Sequence, residues 1–322
     1  MEQLSGVEFE RLTAPFRREL TTHCYRMTGS AQDAEDLVQE TYLRAWRSFG
    51  TFEHRSSLRV WLYRIATNVC LSALTQIGRR DLPSGLGQPS DDPLSPLALA
   101  GPEVGWVSPL VTPPDPAAVV SGRGSVRLAL VAALQHLPAT QRAVLILRDV
   151  LAWRASEVAE LLGTSADAVH STLARARAQL RRVGVNEESL SEPQAGGAQR
   201  RLLEQYAAAF AAADVDALVR VLRDDVALEM PPHLTWFAGR DTVATFLDRV
   251  VFAAVGPLRL RPLTVNGAPG FAAYIRQPGR PAGGGWEAHA VQVLTVTPGG
   301  ISRIVSFNQP SLFALSGLAV QL

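Results

Sequence analysis

Asp33-Ala-Glu-Asp-Leu-Val-Gln-Glu40, followed 16 residues later by Ser57-Leu-Arg-Val-Trp-Leu-Tyr-Arg-Ile-Ala-Thr-Asn68, decides how the N-terminal part of the chain is read. On a helix, side chains three and four positions apart share a face. Over Asp33 to Phe49 that rule gathers Ala34, Val38, Tyr42, Ala45 and Phe49 into one apolar stripe and leaves Asp33, Asp36, Leu37, Glu40 and Leu43 opposite it. An acidic surface with two outward leucines suits the docking of a basic, partly apolar partner helix. A plain solvated helix face has the same makeup, and spacing alone does not choose between them. In the second stretch Leu58, Trp61, Leu62, Ile65 and Val69 form the inner stripe, so Trp61 reads as core. Arg59, Tyr63, Arg64 and Thr67 are expected to point outward, with Asn68 at the edge. Arginines hold a phosphate backbone, a ring stacks an unpaired base and an amide reads a base edge, so the set fits melted DNA.

The rest of the chain sets bounds. Its 322 residues, 47% hydrophobic, allow two or three compact domains. The net charge of +1 excludes a uniformly basic coat, so nucleic-acid affinity must come from local clusters of arginine, which supplies all 31 basic residues. Cys24 and Cys70 are too few and too far apart for a disulfide framework or a metal knuckle, and no metal or cofactor is expected. The acidic N-terminus lacks an apolar leader segment, and no run reaches the ~18 apolar residues that span a bilayer, which points to a soluble cytoplasmic protein without a membrane partner.

Residues 8–80 read as nearly continuous amphipathic helix, interrupted near Thr28-Gly29-Ser30 and from Gly50 to Ser57. Residues 81–122 carry nine prolines, no basic side chain and five acids, which predicts an extended linker unable to form a packed helix or sheet. Helical spacing returns over 123–185, and a polar stretch at 186–197 separates it from a third region. There, helices near 199–213, 215–222 and 240–251 and strands near 225–230, 258–265, 271–277, 287–296 and 301–307 predict an α+β domain with an antiparallel sheet curled around a helix.

Within 123–185, Ser156 to Leu162 predicts a short helix, Gly163 a turn, and Thr164-Ser-Ala-Asp167 a capping box opening a second helix. Val169, Leu173, Ala176 and Leu180 make its inner stripe, leaving Ser171, Ala174, Arg175, Ala178 and Arg182 on a small, basic outer face. Small residues let such a helix enter the major groove while Arg175 reaches a base edge or phosphate and Arg177, Arg181 and Arg182 hold the backbone.

These motifs together resemble bacterial sigma factors of the extracytoplasmic-function (ECF) class. The resemblance implies that Asp33, Asp36, Leu37, Gln39 and Glu40 bind the clamp coiled coil of core RNA polymerase, and that residues 8–80 form region 2. It implies that Arg59, Tyr63, Arg64 and Asn68, with the loop from Phe49 to Ser57, recognise and open the −10 element of promoter DNA. Leu137 to Leu145 precedes the helix-turn-helix as in the class's −35-binding region 4, implying −35 roles for Ser171, Ala174, Arg175, Arg177, Arg181 and Arg182; His170 and Thr172 depart from the usual basic pattern. In that class the linker lies along the polymerase's active-site and RNA-exit path.

Residues 198–322 resemble the SnoaL-like fold of polyketide cyclases through Tyr206 to Phe210, Glu229-Met-Pro-Pro232, Trp236-Phe-Ala-Gly-Arg240 and Val265-Asn-Gly-Ala-Pro269. A cone-shaped sheet of this kind is expected to hold a pocket lined by Met230, Trp236, Phe237 and Tyr274, with His233 and His289 projecting inward for a small-molecule ligand. Expected overall are two all-α sigma domains and a C-terminal α+β domain that tunes a non-enzymatic transcription factor. Two alternatives stand beside this: a ligand-responsive helix-turn-helix regulator acting without core polymerase, and a cyclase or isomerase fused to a DNA-binding module, with His233 or Asp225 as general base.

Overall fold

A computed structural model describes residues 6–52, 56–111, 127–182, 196–276 and 285–322. They divide into two compact units, Met1–Arg80 with Ala129–Leu190, and Asp81–Leu128 with Ser191–Leu322.

The first unit is helical: Gly6–Thr13 (α1), Arg17–Thr28 (α2), Ala31–Ser48 (α3), Leu58–Ala73 (α4), Leu128–Leu134 (α5), Ala139–Leu145 (α6), Ala155–Leu162 (α7) and Ala166–Arg182 (α8). Gly29 ends α2 at φ 71°, a left-handed conformation that glycine adopts without penalty. A Cβ on Gly29 would also lie 3.0 Å from the Gln135 side chain, so two constraints require glycine there. Ser30 then caps α3, its hydroxyl accepting the Asp33 N–H at 3.1 Å. Helix α3 buries Ala34, Val38, Thr41 and Ala45, close to the expected stripe, with Tyr42 and Phe49 half-buried at its margin.

Helix α4 departs from expectation. It buries Leu62, Tyr63, Ala66, Thr67, Val69 and Cys70, while Leu58, Trp61 and Ile65 are only half-buried. A single amphipathic stripe presumes one packing partner, and α4 has two. One flank meets α2 and α3; on the other, the Trp153 ring sits 5.7 Å from Tyr63, edge to face. Trp61 belongs to an aromatic cluster at the margin, 5.9 Å from Phe49 and 4.8 Å from Phe52. Cys24 and Cys70, distant in sequence, are buried neighbours; the hydrogen bond between their thiols, then burial, pushes the Cys70 thiol well up, so both behave as core residues.

Arg142 on α6 is a buried cation tied to several backbone and side-chain acceptors. Its buried guanidinium donates to the Met27 carbonyl in the last turn of α2, to Gln135 Oε1 at 2.6 Å and to the Gln135 and Leu137 carbonyls at 3.2 and 3.1 Å. Burial lowers its pKa to about 10.

The second unit holds Gly197–Ala212 (α9), Val215–Val221 (α10), Leu222–Glu229 (β1), Trp236–Ala238 (β2), Arg240–Phe246 (α11), Arg259–Val265 (β3), Ala268–Arg276 (β4), Trp286–Thr297 (β5), Gly300–Phe307 (β6) and Ser311–Leu315 (α12). The sheet order is β2-β1-β6-β5-β4-β3. It is not wholly antiparallel: β1 and β6 pair in parallel, since strands so far apart in sequence are free of the direction a hairpin imposes. Asn266 and Gly267, at φ 55° and 67°, turn β3 into β4. Tyr206, Phe210, Leu218, Val226, Phe237, Phe246 and Ile304 anchor the core between sheet and helices.

The proline-rich segment, expected as an extended linker without a packed helix or sheet, has more partners than its composition announces. Up to Val111 it forms almost no regular structure, yet it is fastened along the second unit. Ser84 N–H donates to Glu229 at 2.9 Å, the Trp236 indole to the Gly87 carbonyl at 3.0 Å, and Ser90 N–H to the Trp236 carbonyl at 2.8 Å. Ala98 N–H donates to the Thr235 hydroxyl, Leu234 N–H to the Ala98 carbonyl and Ala100 N–H to the Pro232 carbonyl. Leu110 and Asn266 exchange two bonds at 3.0 and 2.8 Å, and Val111 bridges to Val265. Composition excludes a helix or wide sheet here, but proline leaves every carbonyl and most N–H groups free to pair with another strand edge. Residues 112–122 of the expected linker and residues 186–195 of the polar stretch lie outside the described residues. The chain's end is also paired: Leu322 and Trp286 exchange backbone bonds beside β5.

Candidate polymerase and nucleic-acid interfaces

Helix α3 carries the residues expected to face a polymerase. Asp36 and Gln39 are exposed, and Asp33, Leu37 and Glu40 are half-buried. Asp33 is held by Arg80 at 2.5 Å and Glu40 by Arg44 at 2.6 Å, so two of the three acids already have a cation. Leu43 is 52% and Trp46 44% exposed on the same helix. Trp46 was not read from the sequence, and its rim position beside Phe9 is tertiary information.

On α4 the expected −10 residues are engaged internally. Both carboxylate oxygens of Glu19 accept from Arg59 Nε, at 3.0 and 2.9 Å, and Arg59 Nη2 lies 2.7 Å from Glu19 Oε2. Arg64 pairs with Glu160 on α7 at 2.6 Å. Tyr63, expected outside to stack a base, is 1% exposed, with its hydroxyl donating to Glu19 at 3.3 Å. Burial first, then the Glu19 charge, raises its pKa. His23 packs edge-on to that ring, shares a 3.0 Å hydrogen bond with Thr67 and is held neutral by burial, its pKa lowered to about 3. Asn68, expected at the edge of the outward face, is exposed. Residues 53–55 of the preceding loop lie outside the described residues.

Helix α8 matches its reading closely. Val169, Leu173 and Ala176 are buried, and Ser171, Ala174, Arg175, Arg177, Arg181 and Arg182 are all exposed. Gly163 ends α7 at φ 63°, and the Thr164 N–H closes that end on the Ala159 carbonyl at 2.9 Å. The cap of α8 is therefore Ser165, one residue later than expected, its hydroxyl accepting the Ala168 N–H at 3.1 Å. Arg177 makes a two-pronged ion pair with Asp149 at 2.7 and 2.9 Å. Arg175, Arg181 and Arg182 are the exposed arginines of this helix with no acidic partner among the described residues.

In the second unit a cavity of about 50 Å³ is lined by Phe210, Leu228, Met230, Phe246, Leu247, Val251, Leu258, His289, Gln292, Ile304, Ser306 and Asn308. Of the expected pocket residues, Met230 and His289 reach it. His233 turns back to the Met230 carbonyl at 3.0 Å, Trp236 bonds Gly87, Tyr274 donates to the Ala319 carbonyl at 3.0 Å, and Phe237 packs on Phe246. Alternation along short strands did not say which face each residue takes once β2, the proline-rich segment and the chain's end are in place. Gln292, which accepts from the Tyr206 hydroxyl at 3.1 Å, and the Ser306–Asn308 pair supply polar lining that the sequence reading missed. Burial lowers the pKa of His289. The cavity has room for a few waters and falls well short of the ~300 Å³ of a typical ligand pocket. Asp225 lies on the surface, paired with Arg223.

Two helical modules, the second a helix-turn-helix, followed in the chain by an α+β sheet domain, define a sigma-type class of protein. The chain matches the family descriptions Sigma-70 region 2 over residues 12–80, Sigma-70 region 4 over 127–180 and SnoaL-like domain over 203–304. It is 48% identical over 317 residues to the ECF RNA polymerase sigma factor SigG of Mycobacterium tuberculosis, covering 97% of this chain and 84% of that one. It is 30% identical to SigJ of the same organism, covering 97% and 94%. The crystal structure of SigJ superposes with a TM-score of 0.64 at 26% identity, over 98% of this chain and all of that one. The chain belongs to the family of ECF RNA polymerase sigma factors.

Proposed function

We propose that this chain is an alternative sigma factor that joins core RNA polymerase, directs it to a −10/−35 promoter in the cytoplasm, and is regulated by its own C-terminal domain. The observation that carries the proposal is the pair of outward faces on the first unit: Asp36, Gln39 and the exposed Leu43 on α3, and six small or basic residues on α8. The first face suits a basic, partly apolar partner; the second suits a major groove. Asp33, Asp36, Leu37, Gln39 and Glu40 take the polymerase; Arg59, Arg64 and Asn68 act at −10, with Tyr63 available only after α4 is uncovered. Ser171, Ala174 and Arg175 read −35, flanked by Arg177, Arg181 and Arg182 on phosphates.

The C-terminal domain matches a SnoaL-like fold, which names no reaction, and among the described residues lining the cavity its histidine has no acidic side chain beside it, which supports a regulatory role over a catalytic one. Its hold on residues 84–111 supplies a means: it takes up the segment that the family threads through the polymerase.

Run-off transcription with purified core polymerase and a promoter library tests both parts, comparing the full chain with a version ending at Gly197. A transcript from at least one form, with a changed yield between them, is expected. Asp36→Arg with Glu40→Arg should abolish holoenzyme assembly on a sizing column, and intact assembly would overturn the role of α3.

A further inference from the structure

Glu19 has no part in any role assigned so far, yet it organises the expected −10 helix from a neighbouring one. Its carboxylate sits on α2, 40 residues before Arg59, and takes Arg59 Nε and Nη2 together with the Tyr63 hydroxyl. That grip places the Arg59 guanidinium over the Tyr63 ring, 5.0 Å from its centroid. Arg59 thus lies over a ring that His23 and Trp153 also meet edge-on. Both members of the ion pair reach solvent, with side-chain exposures of 40% for Arg59 and 30% for Glu19. A pair of that kind contributes little net stability and exchanges readily for another anion. A promoter phosphate offers the same planar guanidinium the same two-pronged geometry.

We propose that Glu19 is a positioning residue for promoter engagement: it stands in for a DNA phosphate on Arg59, and its replacement by the real phosphate lifts Arg59 away from Tyr63. The idea rests on the reading of α4 as the −10 helix. It assigns a role to a carboxylate whose substitution should strengthen, rather than weaken, a DNA-binding protein.

The test is equilibrium binding of reconstituted holoenzyme to a promoter fragment, with wild type, Glu19→Gln, Glu19→Asp, Arg59→Ala and the double variant Glu19→Gln/Arg59→Ala, at fixed salt. Thermal melts of each chain confirm folding. Glu19→Gln keeps the shape but removes the competing charge, and is expected to raise promoter affinity roughly fivefold, the worth of an exposed ion pair. Glu19→Asp, which keeps the charge, should remain within twofold of wild type. In the Arg59→Ala background Glu19→Gln should have no effect, because the competition it relieves is gone. An equal gain in both backgrounds would reduce the effect to general charge and overturn the proposal. So would a neutral or weakened Glu19→Gln holoenzyme alongside an Arg59→Ala loss, which leaves α4 as the −10 helix. Unchanged binding by Arg59→Ala would instead remove the reading of α4 on which the proposal depends. As a second readout, 2-aminopurine placed in the −10 element should report faster opening by Glu19→Gln.

Discussion

Helices α4 and α8 were both read from sequence as one buried stripe and one DNA-facing side, and they came out differently. On α8 all six expected residues are exposed. On α4 Tyr63 and Thr67 turn inward and both arginines hold carboxylates. Helix α4 is the more apolar and the less one-sided of the two, as suits a helix with neighbours on two sides. Helix α8 packs on one side, against α6 and α7, and the 3.6-residue period records one buried face faithfully. Helix α4 is packed from two sides, and a period cannot announce a second partner contributed by residues 90 positions away.

If burial is what separates the helices, Tyr63→Ala should cost about 3–5 kcal/mol in denaturant unfolding, as a deleted core aromatic does. Arg175→Ala should stay within about 0.5 kcal/mol of wild type in the same assay while losing roughly tenfold in −35 binding. A small stability loss at Tyr63 would erase the contrast.

Acid sharpens the comparison further, because His23 lies beneath Tyr63 with its Nδ1 buried and unpartnered. The folded pKa of about 3 lies below the ordinary 6.5, so the neutral ring's contribution is complete above pH 6.5 and drains away as the pH falls toward 3. By pH 4 the loss should reach about 3 kcal/mol. His23→Gln, uncharged throughout, should flatten the acid side of the stability curve, and parallel curves for the two proteins would count against a buried neutral ring.

The smallest effect concerns the cap of α8. Ser165→Ala should destabilise by about 1 kcal/mol and Thr164→Ala by less than about 0.5 kcal/mol, measured by thermal unfolding. The reverse order would return the cap to Thr164.

Much of the architecture was legible because it rests on local chemistry: the helix breaks at Thr28-Gly29-Ser30 and before Leu58, Gly163 between the two helices of the helix-turn-helix, and the turn at Asn266-Gly267. Helical boundaries in the third region fell within a few residues for the same reason. What the sequence hid is non-local. The parallel β1–β6 pair, the short strand β2 and the bonds of residues 84–111 depend on which strand edges are left open elsewhere. The cavity residues Gln292 and Ser306 sit on strands whose alternation was visible, but the inner face was not, and Asn308 lies just past the end of β6. Glu19, Glu160 and Trp153 carry no motif of their own, and only the packed helices reveal what they hold.

The attachment of residues 84–111 has a consequence for genetics. Cutting the chain after Gly197 does not simply delete a domain; it also releases some 30 residues of tether, whose backbone groups would pass from protein partners to water. A phenotype from such a deletion therefore mixes a missing effector with a longer leash. Point changes that loosen the tether in the intact chain, Trp236→Phe and Asn266→Ala among them, separate the two.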